Sequence, residues 1–150
     1  MRSQASQDAS GVGDAYARQM TLSCLIVDDS RELLAAATSL LEQEGIDVVG
    51  VAETGDEAVG LAAELHPDVI LADIDMVTES GFALARRLHS ADRSPVILIS
   101  AHSEDEFSDM LETSPAIGFI PKAALSATEV ARCWAEYRSR RRVGGRQRRP

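Results

Sequence analysis

The chain has 150 residues, and its 45% apolar and 26% charged content is that of a globular protein able to bury its own core. The longest apolar run, Leu33–Ala37, is too short to span a membrane, and residues 1–20 lack the apolar segment of a signal peptide, so we expect a cytoplasmic protein. The two cysteines, Cys24 and Cys133, are far apart in sequence, which argues against a disulfide scaffold or a zinc site.

Charge is distributed unevenly along the chain. The net charge of −9 combines −16 over residues 1–137 with +7 over residues 138–150. An acidic body is not typical of a nucleic-acid surface, whereas the short basic end could contact one. We predict a disordered leader at residues 1–20, one folded domain at 21–137 and a flexible Arg-rich tail at 138–150.

Five short apolar runs follow the leader and predict strands, at residues 25–27, 48–52, 69–72, 96–99 and 117–120. Each run is followed by a hydroxyl residue that can cap a helix, at Ser30, Thr54, Ser80, Ser103 and Ser126. After Thr54, Ser103 and Ser126 a glutamate three residues later completes a capping box. Glycine predicts the end of the first helix at Gly45 and of the last at Gly144-Gly145.

This alternation predicts an α/β fold. Strands of nearly continuous apolar residues are buried on both faces, as in a parallel sheet covered by helices. Right-handed crossovers then bring all the carboxyl ends of the strands to one edge of the sheet, where open α/β sheets bind their ligands.

Polar residues stand at four of these strand ends: Asp28 and Asp29 after the first, Asp73 after the third, Ser100 after the fourth and Lys122, the only lysine, after the fifth. The carboxylates would cluster if the first and third strands were neighbours. Their repulsion would then require a raised pKa or a bound cation, and oxygen ligands favour Mg²⁺. A metal and a lysine beside a nucleophilic carboxylate suit phosphoryl transfer.

A purely structural interpretation exists for each of these residues, because Asp and Ser at strand ends frequently cap helices. It is less favoured for Asp28 and Asp29, because Ser30 already holds the cap position. For Asp73, the next predicted helix begins about eight residues later, too far for a cap.

Over residues 22–137 the order and spacing resemble the receiver domains of two-component response regulators. The matching stretches are LIVDDS (25–30), PDVILADIDM (67–76) with Ser80-Gly81 after it, VILISAH (96–102) and GFIPKAAL (118–125). The resemblance implies a flavodoxin-like, doubly wound sheet of five parallel strands with five helices. It also implies a signalling protein that catalyses only its own phosphorylation and dephosphorylation. Because only thirteen residues follow Tyr137, we expect the single-domain type.

The resemblance assigns a phosphoacceptor and a metal site. Asp73 would accept the phosphoryl group. Mg²⁺ would be bound by Asp29 directly, by Asp28 mainly through water, by Asp73 and by the backbone carbonyl of Asp75. Lys122 would pair with the phosphoryl oxygens.

The resemblance also assigns a switch. Ser100 would move toward the phosphoryl group and Phe119 would rotate inward behind it. Small Ala101 would leave the acyl phosphate accessible, and His102 and Asp75 would tune its lifetime.

Partners implied by the resemblance are a sensor histidine kinase or phosphotransfer protein, and an output protein or a second copy bound at helix four, strand five and helix five. The chain departs from the family at Val77, where proline is usual, so a less rigid loop is expected. It also has Ala123 instead of proline after Lys122, so no cis peptide is expected there.

Two alternatives remain open from the sequence. Asp73-x-Asp75 resembles the motif of haloacid-dehalogenase-like phosphatases, although that motif lies on the first strand. A truncated DNA-binding response regulator is the other, although the thirteen residues after Tyr137 are too few for a helix-turn-helix domain.

Overall fold

The computed structural model describes the backbone of residues 21–91 and 93–148, and the side chains of residues 21–91 and 93–142. The predicted leader lies outside the described residues. Five strands form one sheet, in the order β2-β1-β3-β4-β5 with every neighbouring pair parallel: β1 (Ser23–Val27), β2 (Asp47–Ala52), β3 (Val69–Asp73), β4 (Val96–Ser100) and β5 (Gly118–Pro121).

Five helices connect and cover the strands: α1 (Arg31–Gln43), α2 (Gly55–Leu65), α3 (Gly81–Ser90), α4 (Ser108–Thr113) and α5 (Ala127–Arg148). Short 3-10 turns precede α4, at Glu104–Phe107, and α5, at Lys122–Ala124. Successive strand residues point to opposite faces, so the sheet has two cores. α1 and α5 cover one face, and α2 and α3 cover the other. The predicted doubly wound α/β fold is confirmed.

Most predicted helix starts are confirmed, because the hydroxyls of Ser30, Thr54, Ser80 and Ser126 accept first-turn N–H bonds. Ser103 is the exception, and its predicted capping box is wrong. The Glu106 N–H that the hydroxyl would accept is donated to the carbonyl of Ser103 at 3.2 Å, so the segment begins as a 3-10 turn.

The last helix does not end at Gly144-Gly145 as predicted, but continues to Arg148. Glycine lowers helix propensity by only about 1 kcal/mol relative to alanine, and it ends a helix where it adopts the left-handed conformation. Gly45 does so after α1, with φ of 101°. Part of the predicted tail is therefore helical, and its flexibility stays a prediction. In the described part of the chain, no helix combines the length and apolar sequence that crossing a bilayer requires.

Candidate functional site

The site lies at the carboxyl ends of β1, β3 and β5. β1 pairs with β3, so the neighbour relation that the predicted acidic cluster needs is confirmed. Carboxylate oxygens of Asp28, Asp29 and Asp73 lie within 4.8 Å of one another. The Lys122 Nζ is 3.0 Å from Asp28 Oδ2 and 3.3 Å from Asp73 Oδ1. The structure therefore brings the three predicted acids and the lysine together.

Burial sets the electrostatics of this cluster. Asp28 and Asp73 are only 1% and 3% exposed, whereas Asp29 is at the surface. Burial and repulsion from Asp28 raise the pKa of Asp73, although Lys122 acts to lower it. Burial acts to lower the pKa of Lys122, but its contacts with Asp28 and Asp73 outweigh this and raise the pKa, so the ammonium stays charged at neutral pH.

Backbone amides hold two of the carboxylates. The Ser30 N–H donates to Asp28 Oδ1, and the Val77 N–H donates to Asp29 Oδ2, with N···O distances of 2.8 Å in both cases. Asp28 Oδ2 and Asp73 Oδ1 are buried and accept no well-directed hydrogen bond from the described residues. The Lys122 ammonium lies within 3.3 Å of both oxygens and offsets their negative charge.

These residues fit a divalent metal. The donors are all oxygens, and two of them are buried with hydrogen-bonding capacity unused. When ionised, three carboxylates beside one ammonium carry two excess negative charges, which a hard dication such as Mg²⁺ would balance. The predicted role of the Asp75 carbonyl stays a prediction.

Ser100, the predicted switch residue, is fully buried at the end of β4. Its hydroxyl donates to Asp75 Oδ2 at 3.2 Å and accepts the His102 N–H at 3.0 Å. Ala101 and His102 are exposed, and the His102 Nδ1 is 3.4 Å from Glu106 Oε1. The sequence does not predict the contact between Ser100 and Asp75, because the contact depends on the rotamers of both side chains.

Phe119, the predicted switch aromatic, belongs to a cluster of all three phenylalanines of the chain. The ring of Phe107 lies 6.0 Å from that of Phe82 and 6.2 Å from that of Phe119, measured between centroids. The His102 ring stands edge-on to Phe107 at 6.3 Å. No motif in the sequence connects Phe107 to the site. No residue of the 3-10 turn or of α4 is fully buried. Phe107 packs against the core and is therefore one of the main contacts that hold this segment on the domain.

The loop between β3 and α3 is attached at several points that the sequence did not predict. Arg87 Nη1 lies 2.6 Å from Glu79 Oε1, and Arg87 Nη2 lies 3.0 Å from Asp56 Oδ1. At Gly81 the chain passes so close to Asp73 that an added Cβ would lie 2.6 Å from the Asp73 carbonyl oxygen. The reduced rigidity expected from Val77 stays a prediction.

Residues 24–131 match the family described as "Response regulator receiver domain". The chain is 34% identical, over 106 residues, to protein-glutamate methylesterase/protein-glutamine glutaminase 1 of Shewanella denitrificans; the match covers 69% of this chain and 27% of that protein. It is 35% identical, over 102 residues, to the response regulator GacA of Pseudomonas aeruginosa, covering 67% and 48% of the two chains. The matched region thus spans between about a quarter and a half of these relatives.

Solved structures agree with this match. The signal receiver domain of the response regulator NarL from Mycobacterium tuberculosis is 27% identical with a TM-score of 0.69, covering 77% of this chain and 97% of that one. The CheX-CheY-BeF3-Mg²⁺ complex from Borrelia burgdorferi matches at 28% identity and a TM-score of 0.63, covering 79% and 90%. The family match decides against a haloacid-dehalogenase-like phosphatase. By sequence, sheet order and acidic site, the chain belongs to the response regulator receiver domains of two-component signalling.

Proposed function

We propose that this receiver domain accepts a phosphoryl group on Asp73 from a phosphohistidine of a sensor kinase or phosphotransfer protein, in the cytoplasm and with Mg²⁺. The observation that carries the proposal is the buried Asp73 carboxylate, 3.3 Å from the Lys122 ammonium and within 4.8 Å of two further carboxylates. The similar CheX-CheY complex, which contains BeF3 and Mg²⁺, supports the metal requirement.

In the transfer, an Asp73 carboxylate oxygen attacks phosphorus and forms an acyl phosphate. The phosphorus–nitrogen bond of the donor breaks, and its electron pair stays on the imidazole nitrogen. Lys122 pairs with the phosphoryl oxygens and offsets their repulsion by the acids. Asp28, Asp29, Asp73 and the Asp75 carbonyl would hold Mg²⁺, which would supply further positive charge to balance the phosphoryl group. Attack of water on phosphorus later restores the carboxylate and releases inorganic phosphate.

The switch starts from the contacts of Ser100. Its hydroxyl bonds to Asp75 and His102, so contact with a phosphoryl group requires it to give up the bond to Asp75. Phe107 packs on both His102 and Phe119. A movement of Ser100 is therefore transmitted to α4 through these packed rings. In this proposal Ala101 leaves the acyl phosphate accessible to water, and His102 and Asp75 tune its lifetime.

Output in this proposal goes through a protein that binds the surface of α4, β5 and α5, or through a second copy of the chain. Residues 104–113 carry five acids and a half-exposed Met110, whereas the exposed end of α5 carries Arg138, Arg140, Arg141 and Arg142. Nucleic acid would be contacted only through this basic end.

Incubation with acetyl phosphate and Mg²⁺ is expected to add one phosphoryl group, read by intact mass, in an acid-stable and hydroxylamine-labile form. EDTA should prevent the gain, and Asp73→Asn should abolish it because the attacking carboxylate is gone. Asp47→Asn, at the start of β2 and the opposite edge of the sheet, is the matched control and should be phosphorylated normally. No gain in the native chain, or an undiminished gain in Asp73→Asn, contradicts the proposal.

Deletion of residues 138–150 is expected to leave the phosphorylation-dependent partners unchanged, because the described arginines of this segment are exposed, and exposed charges are screened and contribute little to specific binding. The check is affinity capture by both chains with and without BeF3 and Mg²⁺, with Asp73→Asn as background. Loss of a partner on deletion would show that the basic end takes part in output. A steep dependence of that binding on salt would then identify a nucleic acid.

A further inference from the structure

We infer that the backbone N–H of Val77 is a positioning group for the metal-binding carboxylate of Asp29. The inference rests on the proposed function, in which Asp29 is a Mg²⁺ ligand. The resemblance to the receiver family implies proline at the position of Val77, and proline has no backbone N–H to donate. The departure from the family motif therefore adds a hydrogen-bond donor to the acidic site.

The contact is short and joins two different loops. The Val77 nitrogen is 2.8 Å from Asp29 Oδ2, across 48 positions of sequence. Asp29 is exposed, so without a fixed partner its carboxylate would sample several rotamers. The bond uses one acceptor position of Oδ2 and leaves the remaining acceptor positions of the carboxylate for a cation. A donor aimed at a carboxylate also reduces the repulsion within the acidic cluster.

The neighbouring acid is held in the same way. The Ser30 N–H donates to Asp28 Oδ1, and Asp28 Oδ2 remains in the site without a well-directed hydrogen bond. Each of the two adjacent acids is thus oriented by one backbone amide while its second oxygen stays free of that amide. Two ligands oriented before the metal arrives lose less conformational entropy on binding it.

The donor itself is held in place by the loop. The Gly81 N–H donates to the Ile74 carbonyl at 3.1 Å and so joins the two ends of this loop. Glu79, within the loop, is paired with Arg87 at 2.6 Å. Val77 is 89% exposed, so its side chain makes few packing contacts that could fix the loop. The positioning effect therefore belongs to the amide and not to the side chain.

Val77→Pro, which removes the donor and also fixes φ at residue 77, is expected to raise the Mg²⁺ dissociation constant about 3- to 10-fold, the range of one lost hydrogen bond. Titration calorimetry with MgCl₂ measures this directly. In acetyl phosphate assays the half-saturating Mg²⁺ should rise by the same factor, while the rate at saturating Mg²⁺ stays within about twofold. Val77→Ala keeps the N–H and should bind Mg²⁺ like the native chain.

Hydrogen exchange of the Val77 amide gives a test that does not depend on a proline fitting the loop. The native amide should be protected, and Asp29→Ala should remove the protection. An unprotected native amide, or a folded Val77→Pro chain with unchanged Mg²⁺ affinity, overturns the inference. A native chain that binds no Mg²⁺ at all contradicts the proposed function instead, so the two failures are distinguishable.

Discussion

Replacing Lys122 with methionine is expected to destabilise the domain by about 2 kcal/mol at neutral pH without divalent metal, because it leaves two buried carboxylates without a neighbouring cation. The ammonium is the described compensation of Asp28 Oδ2 and Asp73 Oδ1, at 3.0 and 3.3 Å. Methionine is unbranched and only one heavy atom shorter than lysine, so loss of the charge is the main change. Because Lys122 is itself 23% exposed, water relieves part of the effect, which keeps it below the value for a fully buried pair. Urea unfolding in EDTA measures the difference.

The loss should depend on pH and on metal in a defined direction. Burial and Asp28 already raise the pKa of Asp73, and removing Lys122 raises it further. A carboxylate whose folded-state pKa is raised destabilises the folded state at higher pH, and this penalty disappears as the pH falls toward the ordinary aspartate value of about 4. The difference between Lys122→Met and the native chain should therefore be largest near neutrality and shrink toward acidic pH. Millimolar Mg²⁺ should reduce it as well, because the cation supplies the missing positive charge.

Two variants separate this effect from a general loss of positive charge. The Arg31 guanidinium lies 3.0 Å from the Glu53 carboxylate, but its side chain is 84% exposed. Arg31→Met is therefore expected to lower the free energy of unfolding by less than about 0.5 kcal/mol. Lys122→Arg keeps the charge and should be less destabilised than Lys122→Met. If Lys122→Met unfolds no earlier than Arg31→Met in EDTA, the ammonium does not compensate the buried acids.

The acidic cluster could be predicted because parallel connections bring the carboxyl ends of the strands to one edge, whatever the family. The order of the strands could not, since no local signal in the sequence says that β1 lies beside β3. The contacts of Ser100 with Asp75, and of the Val77 amide with Asp29, depend on rotamers and loop conformation. Such contacts between residues distant in sequence leave no pattern in a single chain.

Two sequence predictions, the capping box at Ser103 and the helix end at Gly144-Gly145, are wrong. Each rests on a weak local preference that backbone hydrogen bonding overrides. At Ser103 the backbone carbonyl takes the N–H that the capping box assigns to the hydroxyl. At Gly144-Gly145 the preference of glycine for a helix end is small, and the backbone continues as helix. Gly45, which does adopt positive φ, was predicted correctly as an end. A glycine in the sequence thus allows a helix to end, but the helix ends there only if the glycine adopts a positive φ.

Gly81→Ala is expected to destabilise the domain by about 1–3 kcal/mol and to slow phosphorylation, because a methyl group there overlaps the chain that carries Asp73. The added Cβ would lie 2.6 Å from the Asp73 carbonyl oxygen and 3.0 Å from the Ile74 Cα. Both are backbone atoms, so they cannot turn aside as the end of a flexible side chain could. Relief requires a shift of the β3 end or of the start of α3, and a shift of the β3 end moves the Asp73 carboxylate relative to Lys122.

Gly60→Ala is the matched control for this prediction and should act in the opposite direction. Gly60 is exposed within α2, and a Cβ there would meet no atom within 4 Å apart from the adjacent helix backbone. Alanine at such a site is expected to stabilise the domain by about 0.5–1 kcal/mol, since it restricts the unfolded chain and favours helix. Thermal unfolding of both variants, with the initial rate of acetyl phosphate labelling, provides the comparison. Equal stability and equal labelling of Gly81→Ala and the native chain would show that the close approach at Gly81 does not hold Asp73 in place.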